Sequence, residues 1–315
     1  MSAAEPLVTV AMPLYNGAPN VATAIRRIRE QTYRNLDIVL CDDASTDATP
    51  DICVAAAGED DRIRYVRNER NLGMNGNFNA GLERKRGEFF MWAGQDDEKA
   101  PEFVAETLAA LQRNANASMA CSWTTIVTPR REFLHKPYSP AIVSERIDER
   151  AAAFVADTQC VAIYGLFRSQ VVDAIGPIDD WLDTDRHFLF KALIRGPFEV
   201  VPRDLFRYRL VHSAADYERI GMAMRPGAAD YDLDLYRYFP ELMRRAGVDR
   251  RAVLRSTVAM HATLKPYLDR RAEHLIAEAL DDRSTARLFA WAKQYPPMLR
   301  MRMFWGAVRR IATRP

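Results

Sequence analysis

The sequence predicts an α/β protein: a doubly wound, mostly parallel sheet followed by a helical C-terminal extension. Three observations carry this. Short apolar runs alternate with stretches of helical period through the first half of the chain, and the connections between them are short. Three of the runs end in clusters of polar residues, as strands do where a ligand sits beyond their carboxyl ends. Beyond Gly227 only helical periods recur.

Leu7–Met12 is a short apolar run stopped by Pro13, hence a buried strand. Val21, Ala24, Ile25 and Ile28 mark a helix over 21–31. Leu36–Cys41 is the second strand and runs into Asp42-Asp43-Ala44-Ser45-Thr46-Asp47, where Ser45 or Thr46 is placed to cap a helix through Ala57. Ile63–Val66 reads as a strand, 75–86 as a helix, and Glu88–Ala93 as a strand leading into Gly94-Gln95-Asp96-Asp97. Pro101 opens a helix to Gln112, and Ser118–Ile126 is a further strand. Residues 128–145, rich in proline and charge, read as a long surface loop. Helices follow over 169–175, stopped by Gly176-Pro177, and over 185–195, with Phe188, Leu189, Ala192 and Leu193 inward. Phe198–Val201 and Leu205–Leu210 read as two separate strands. The domain boundary falls near residue 215, so that 1–215 form the α/β domain and 216–315 the helical extension.

With 315 residues and 48% hydrophobic content, the chain has ample material for a core. A net charge of +2 argues against a general nucleic-acid binder. The charge is unevenly spread: residues 283–315 hold eight Lys/Arg and no acid, so 1–282 carry −6. Within that tail Met301, Phe304, Trp305, Val308 and Ile311 share one helical arc, which needs the protein's own body, a second subunit or an anionic membrane to cover it. Cys41, Cys53, Cys121 and Cys160 lack paired spacing and read as reduced thiols. No leader and no apolar run of membrane-spanning length is evident, which leads to the expectation of a cytoplasmic protein, with the inner face of the membrane as the place a basic tail would take it.

The polar clusters carry the chemistry. Val8-Thr9-Val10-Ala11-Met12-Pro13-Leu14-Tyr15-Asn16, then Asp42-Asp43-Ala44-Ser45-Thr46-Asp47, then Asn71-Leu72-Gly73 with Asn79-Ala80-Gly81, then Arg86-Gly87-Glu88, are weak singly. In this order and spacing they resemble the family 2 glycosyltransferases of GT-A fold, over residues 7–213. The resemblance implies an enzyme of hexosyltransferase type. It would move a sugar, with inversion, from a nucleoside diphosphate sugar (uridine being the commonest nucleoside) to a hydroxyl of a saccharide or lipid-linked acceptor, as in cell-surface polysaccharide or glycolipid synthesis. Mn²⁺ or Mg²⁺ is the implied cofactor, and 128–213 the implied acceptor and base region.

Residue by residue, the resemblance implies that Pro13, Leu14 and Tyr15 line the base, that Asp42 contacts the nucleoside, and that Asn16 and Asp43 belong to the same nucleotide and donor site. Asn71, Gly73, Asn79 and Gln95 join them at the donor. The family's Asp-x-Asp appears here as Gly94-Gln95-Asp96-Asp97, one carboxylate short, with Asp96 on donor and metal and Asp97 on the metal. In Trp181-Leu182-Asp183-Thr184-Asp185, Asp185 matches the general base, Thr184 replaces a Glu, and Asp183 is the alternative. Within Phe206-Arg207-Tyr208-Arg209-Leu210-Val211-His212, Arg207 and Arg209 are placed for the diphosphate and His212 for the metal. A simpler reading stands beside each. Asp-Asp before Ser-Thr is also a turn, Asp185 also suits a helix dipole, and a lone histidine is more often a structural hydrogen-bonder. A dehydrogenase is disfavoured because Met12–Gly17 lacks Gly-x-Gly-x-x-Gly, and a nucleotidyltransferase because no Gly-rich basic loop stands there. Gly94 and Thr184 keep open a non-catalytic nucleotide-sugar-binding protein of the same fold.

Overall fold

The structure, a computed structural model, describes residues 5–157, 160–179, 184–209 and 231–263. These fall into two compact units, one within Met1–Glu145 and Asp157–Gly221, the other within Arg146–Ala156 and Met222–Pro315.

The first unit begins with β1 (Val8–Leu14), α1 (Val21–Arg29), β2 (Leu36–Asp42), α2 (Thr49–Glu59), β3 (Ile63–Arg67), α3 (Gly73–Glu83) and β4 (Phe89–Trp92). These strands pair in parallel in the order β3-β2-β1-β4. Every residue of β1 except Pro13, and every residue of β2, is buried. Strands covered on both faces by helices read as continuous apolar runs, which is why they are legible in the sequence.

Next come β5 (Glu98–Lys99), α4 (Phe103–Arg113), β6 (Met119–Val127) and β7 (Glu132–His135). After α5 (Ile147–Ala156), which belongs to the second unit, follow β8 (Leu166–Arg168), α6 (Ser169–Ile175), α7 (Thr184–Arg195) and β9 (Phe198–Arg209). The sheet continues β4-β8-β6-β9-β5, with β7 on β6, and here most pairs are antiparallel. Only β6 and β9 run parallel in this half. The sheet is therefore mixed, with its uninterrupted parallel part confined to the first half.

Three expectations change. The two strands over 198–210 are one strand, β9, of 12 residues. Its register against β6 shifts around Trp123, so Pro202 sits in an irregularity where its missing N–H breaks no ladder. The loop over 128–145 contains β7 and a 3-10 turn at Pro140–Val143, the hairpin being tied by Thr128 N–H to Arg131 C=O at 2.9 Å. Ser45 and Thr46 do not cap α2: Ala48 stands at the cap, and Asp47 Oδ1 accepts Thr49 N–H at 3.0 Å. Both residues are taken up by the end of β1 instead.

In the second unit, α5, α8 (Tyr231–Arg245) and the helical residues 250–263 bury Phe154, Phe239, Met243, Val253 and Met260. Phe154 and Phe239 meet edge to face at 5.9 Å. No helix among the described residues is long and apolar enough to cross a membrane. The basic tail and its apolar arc lie outside the described residues.

Candidate active site

The carboxyl ends of β1, β2 and β4 are neighbours, and the loops leaving them are stitched together. Asn16 adopts a left-handed backbone, φ 47°. Its N–H donates to Ser45 Oγ at 2.9 Å and its side-chain oxygen accepts Thr46 N–H at 2.8 Å. Tyr15 stays exposed, with its N–H on Gln95 Oε1 at 3.3 Å. Pro13 is half-buried and Leu14 fully buried. Gln95 packs so closely that a Cβ on Gly17 would fall 2.5 Å from Oε1.

Asp42 and Asp43 are 0% and 2% exposed. Asp42 accepts Ser45 N–H at 3.0 Å, Tyr65 O–H at 2.7 Å and Arg67 Nη1 at 2.6 Å. Asp43 Oδ1 accepts Asn68 Nδ2 at 2.9 Å and Leu72 N–H at 2.8 Å. Asn77, also buried, donates to the Leu14 and Cys41 carbonyls at 3.2 and 3.0 Å. It ties α3 to the ends of β1 and β2, and nothing in the sequence reading singled it out. Asn71 Oδ1 holds Gly73 N–H at 2.8 Å, and Gly73 takes φ 76° to open α3. Asn79 spends both ends of its amide on the Ile178 backbone, each at 2.8 Å, a lock between α3 and the turn after α6.

Beyond β4 the picture differs. Asp96 is half-buried, and Asp97 is 7% exposed. Asp97 Oδ1 accepts Arg209 N–H at 3.2 Å, while its buried Oδ2 has no hydrogen-bond partner. Burial drives the Asp97 carboxyl well above the usual range; the Lys99 charge opposes this and Asp96 adds to it. A Cβ on Gly94 would fall 2.4 Å from Asp97 Oδ2 and 3.4 Å from Asp96 Oδ1, so the carboxylate occupies space that a side chain at 94 would need. The guanidinium groups of Arg207 and Arg209 are engaged by Glu132 and Glu98.

Asp185 lies in the first turn of α7, half-buried. α7 is anchored by Phe188, whose ring meets Trp92 of β4 at 5.2 Å. Tyr164 links the two acidic regions. Its phenol is raised well above its ordinary value, first by burial and then by the charges of Asp97, Tyr208, Asp185 and Asp96. Phe188 thus seats α7, with Asp185 in its first turn, on the strand that leads into Gly94–Asp97. Tyr164 carried no sequence signal, since it lies in an irregular 3-10 turn over Cys160–Tyr164. Asp183 and His212 lie outside the described residues.

A hard divalent cation takes oxygen ligands, and the unpartnered Oδ2 of Asp97 beside Asp96 fits it. Among the described residues no group of three His, Cys, Asp or Glu side chains could hold a metal unaided. Two carboxylates plus ligand oxygens remain the usable donor set.

The family model described as "Glycosyl transferase family 2" matches residues 9–172, more than half of the chain. The chain belongs to glycosyl transferase family 2. Its relatives include the GalNAc(5)-diNAcBac-PP-undecaprenol beta-1,3-glucosyltransferase of Campylobacter jejuni, 31% identical over 135 residues, which cover 42% of this chain and 42% of that protein. The putative teichuronic acid biosynthesis glycosyltransferase TuaG of Bacillus subtilis is 31% identical over 142 residues, covering 43% and 55%. The chain thus spans roughly half the length of these curated relatives. Among solved structures, S. aureus TarS 1–349 in complex with UDP-GlcNAc aligns with TM-score 0.56 at 16% identity, covering 84% of this chain and 83% of that one. The mannosyltransferase PcManGT of Pyrobaculum calidifontis, in complex with GDP-Man and Mn²⁺, aligns with TM-score 0.53 at 18% identity, covering 98% and 87%. At such identities these structures establish the fold, a mixed α/β sheet of GT-A type.

Proposed function

We propose that this chain is an inverting glycosyltransferase that moves a sugar from a nucleoside diphosphate sugar to an acceptor hydroxyl. The observation that carries the reading is the gathering of acids at strand ends on either side of β1: the buried Asp42–Asp43 pair at β2 and Asp96–Asp97 beyond β4, with α7, which bears Asp185, packed on β4 through Phe188. One site then has a base, a seat for the leaving group's counter-charge and a wall for the nucleoside. The exposed Tyr15 would cover the base, and the loop after β2 would hold the ribose. Asp96 and Asp97 would hold the divalent cation, which when bound neutralises the charge gathering on the departing diphosphate. Arg207 and Arg209 would reach the diphosphate only by leaving Glu132 and Glu98.

The chemical step is a single displacement. Asp185 takes the proton of the acceptor hydroxyl as its oxygen bonds to the anomeric carbon. The bond from that carbon to the diphosphate oxygen breaks, its electron pair leaves with the nucleotide, and the centre inverts. A hydroxyl is too weakly acidic to attack unaided at neutral pH, so a positioned base is required.

The donor nucleoside we favour is uridine, as TarS holds UDP-GlcNAc, although PcManGT holds GDP-Man. A lipid-linked or saccharide acceptor is favoured by the names of the Campylobacter and Bacillus relatives. The test is a thermal-shift panel of uridine, guanosine and thymidine diphosphates with and without Mn²⁺, followed by hydrolysis of the matching sugar nucleotide. A nucleotide at ~100 times its dissociation constant adds about 2.7 kcal/mol, a readily seen shift. If no nucleotide shifts the transition, the donor reading is wrong. Binding without any donor hydrolysis or transfer leaves a non-catalytic binding protein of the same fold.

A further inference from the structure

The turn after α6 is held residue after residue. Gly176 takes φ 75° to leave the helix. The Pro177 carbonyl then accepts Lys191 Nζ at 3.1 Å, and Asn79 of α3 holds both the N–H and the carbonyl of Ile178 at 2.8 Å. Asp179 follows. Its Oδ2 accepts Lys191 Nζ at 3.1 Å, and His187 Nδ1 lies 3.0 Å from the same oxygen. His187 and Lys191 stand four residues apart on α7, so one carboxylate meets two side chains of a single helical face. Lys191 is 14% exposed and Asp179 38%, so salt and solvent screen this contact less than a surface pair.

Another side of α7 is pinned by packing. Phe188 meets Trp92 of β4 at 5.2 Å and Phe167 of β8 at 5.7 Å, edge to face in both cases. A helix held along one seam can still roll about it. Two seams on different sides fix its rotation as well as its place. Asp185 stands in the first turn, three residues before Phe188 and away from the face that bears His187 and Lys191. Its direction therefore depends on both seams. Asn79 joins the arrangement to the donor side, since α3 opens at Gly73 and Asn77 ties it to the ends of β1 and β2.

We propose that Asp179 is a positioning residue: by gripping His187 and Lys191 it sets the rotation of α7, and with it the direction in which Asp185 meets the acceptor hydroxyl. Its importance for catalysis rests on the reading of Asp185 as the base; the first measurement does not, because it needs neither nucleotide nor metal. That measurement is hydrogen exchange of the full chain, native against Asp179→Ala and Lys191→Met. In both variants the amides of 184–190 exchange about tenfold faster, while those of β1 and β2 keep their native rates. Lys191→Arg, which keeps a charged donor for the carboxylate, stays closer to native than Lys191→Met. The double variant exchanges no faster than either single one, because the two side chains form one contact. Native exchange in Asp179→Ala, or effects that add in the double variant, overturn the proposal. Should Asp179→Ala fail to fold, Asp179→Asn takes its place in the same comparison. The second measurement separates positioning from mere structure: hydrolysis of UDP-GlcNAc, or of GDP-Man if the panel above selects guanosine, beside calorimetry of the free nucleoside diphosphate. Asp179→Ala lowers the rate at saturation by about 10- to 10²-fold, as a misplaced reacting group does, and leaves the nucleotide dissociation constant within about twofold. Faster exchange with an undiminished rate overturns the positioning role. If the native chain neither binds nor hydrolyses a sugar nucleotide, the donor reading fails, while exchange still decides whether Asp179 holds α7.

Discussion

At the end of β2, Asp42 and Asp43 are buried among hydrogen-bond donors supplied by Ser45, Tyr65, Arg67, Asn68 and Leu72. Beyond β4, Asp97 is nearly as buried, yet its Oδ2 has no hydrogen-bond partner. The first region is complete as it stands. The second holds charge at a cost, because a buried carboxylate with an unused lone pair has lost its hydration without full replacement. On the proposed function, the first region shapes a cradle for the nucleoside and Asp97 is held for the cation that accompanies the donor. The separation follows the sheet: the satisfied acid pair ends a parallel strand inside the first half, while Asp97 lies where β4 gives way to the antiparallel half.

The largest effect tests the second region. Asp185→Asn keeps the helix start and removes the proposed base, so transfer should fall by roughly 10²–10⁴-fold while nucleotide affinity changes little. Steady-state transfer beside calorimetry of the nucleoside diphosphate separates these; a loss below about tenfold would move the base role to Asp183.

Stability gives the next contrast. Asp42→Asn leaves Arg67, Tyr65 or the Ser45 N–H facing an amide in a fully buried place, and should cost about 2–4 kcal/mol of folding free energy. Asp96→Asn, half-buried, should cost less than about 1 kcal/mol while abolishing the Mn²⁺-dependent part of nucleotide binding. Urea unfolding of both variants checks this. Equal losses would show that the two regions are held alike.

Glycines sharpen the same line. A Cβ on Gly87 would fall 2.4 Å from the Leu7 carbonyl oxygen and 2.7 Å from Thr9 N, both backbone, so Gly87→Ala must push strands apart, costing about 1–3 kcal/mol. A Cβ on Gly94 meets the end of the Asp97 side chain instead. Gly94→Ala should therefore unfold close to the native midpoint but weaken the Mn²⁺-supported thermal shift by nucleotide. A variant that keeps the full shift would show that the pose of Asp97 is irrelevant to the donor.

The parallel half was legible because β1, β2 and β4 are buried and largely apolar, although Pro13 does not stop β1, which runs on to Leu14. The antiparallel half was not. β7 alternates between exposed and half-buried positions with no apolar run, and β9 carries Pro202 and Asp204 at its irregularity, which split it in the sequence. For the site, strand-end acids were visible because acids cluster in sequence there. Asn77 and Tyr164 were not, because their roles arise from partners far along the chain: Leu14 and Cys41 for Asn77, Asp185 for Tyr164. Ser45 and Thr46 illustrate the converse. Their local pattern is that of a helix cap, and the tertiary bonds to Asn16 override it.

The smallest effect expected concerns a satisfied acid of the first region away from the cradle. Asp60 accepts Arg62 N–H at 3.1 Å, Nε at 3.0 Å and Nη2 at 2.7 Å, and Arg29 Nε lies 3.3 Å away. The Arg62 side-chain hydrogen bonds hold its carboxyl down at about 2, against the opposing pull of burial. An aspartate in the unfolded chain titrates near ~3.9, so the folded state binds this proton less readily than the unfolded one. The stabilisation is therefore present above about pH 4 and is lost as the pH falls towards about 2. Because the arginines are partly open to solvent, screening should hold the contribution to about 1 kcal/mol or less. Asp60→Asn should flatten the acid limb of the stability–pH curve by that amount between pH ~5 and ~2, with no change in how nucleotide or Mn²⁺ shifts the transition. Parallel acid limbs for the native and variant chains would remove the pair from the account of stability. A change in the nucleotide response would instead mean that even this satisfied acid is coupled to the donor site, and the division between the two regions would have to be redrawn along α2.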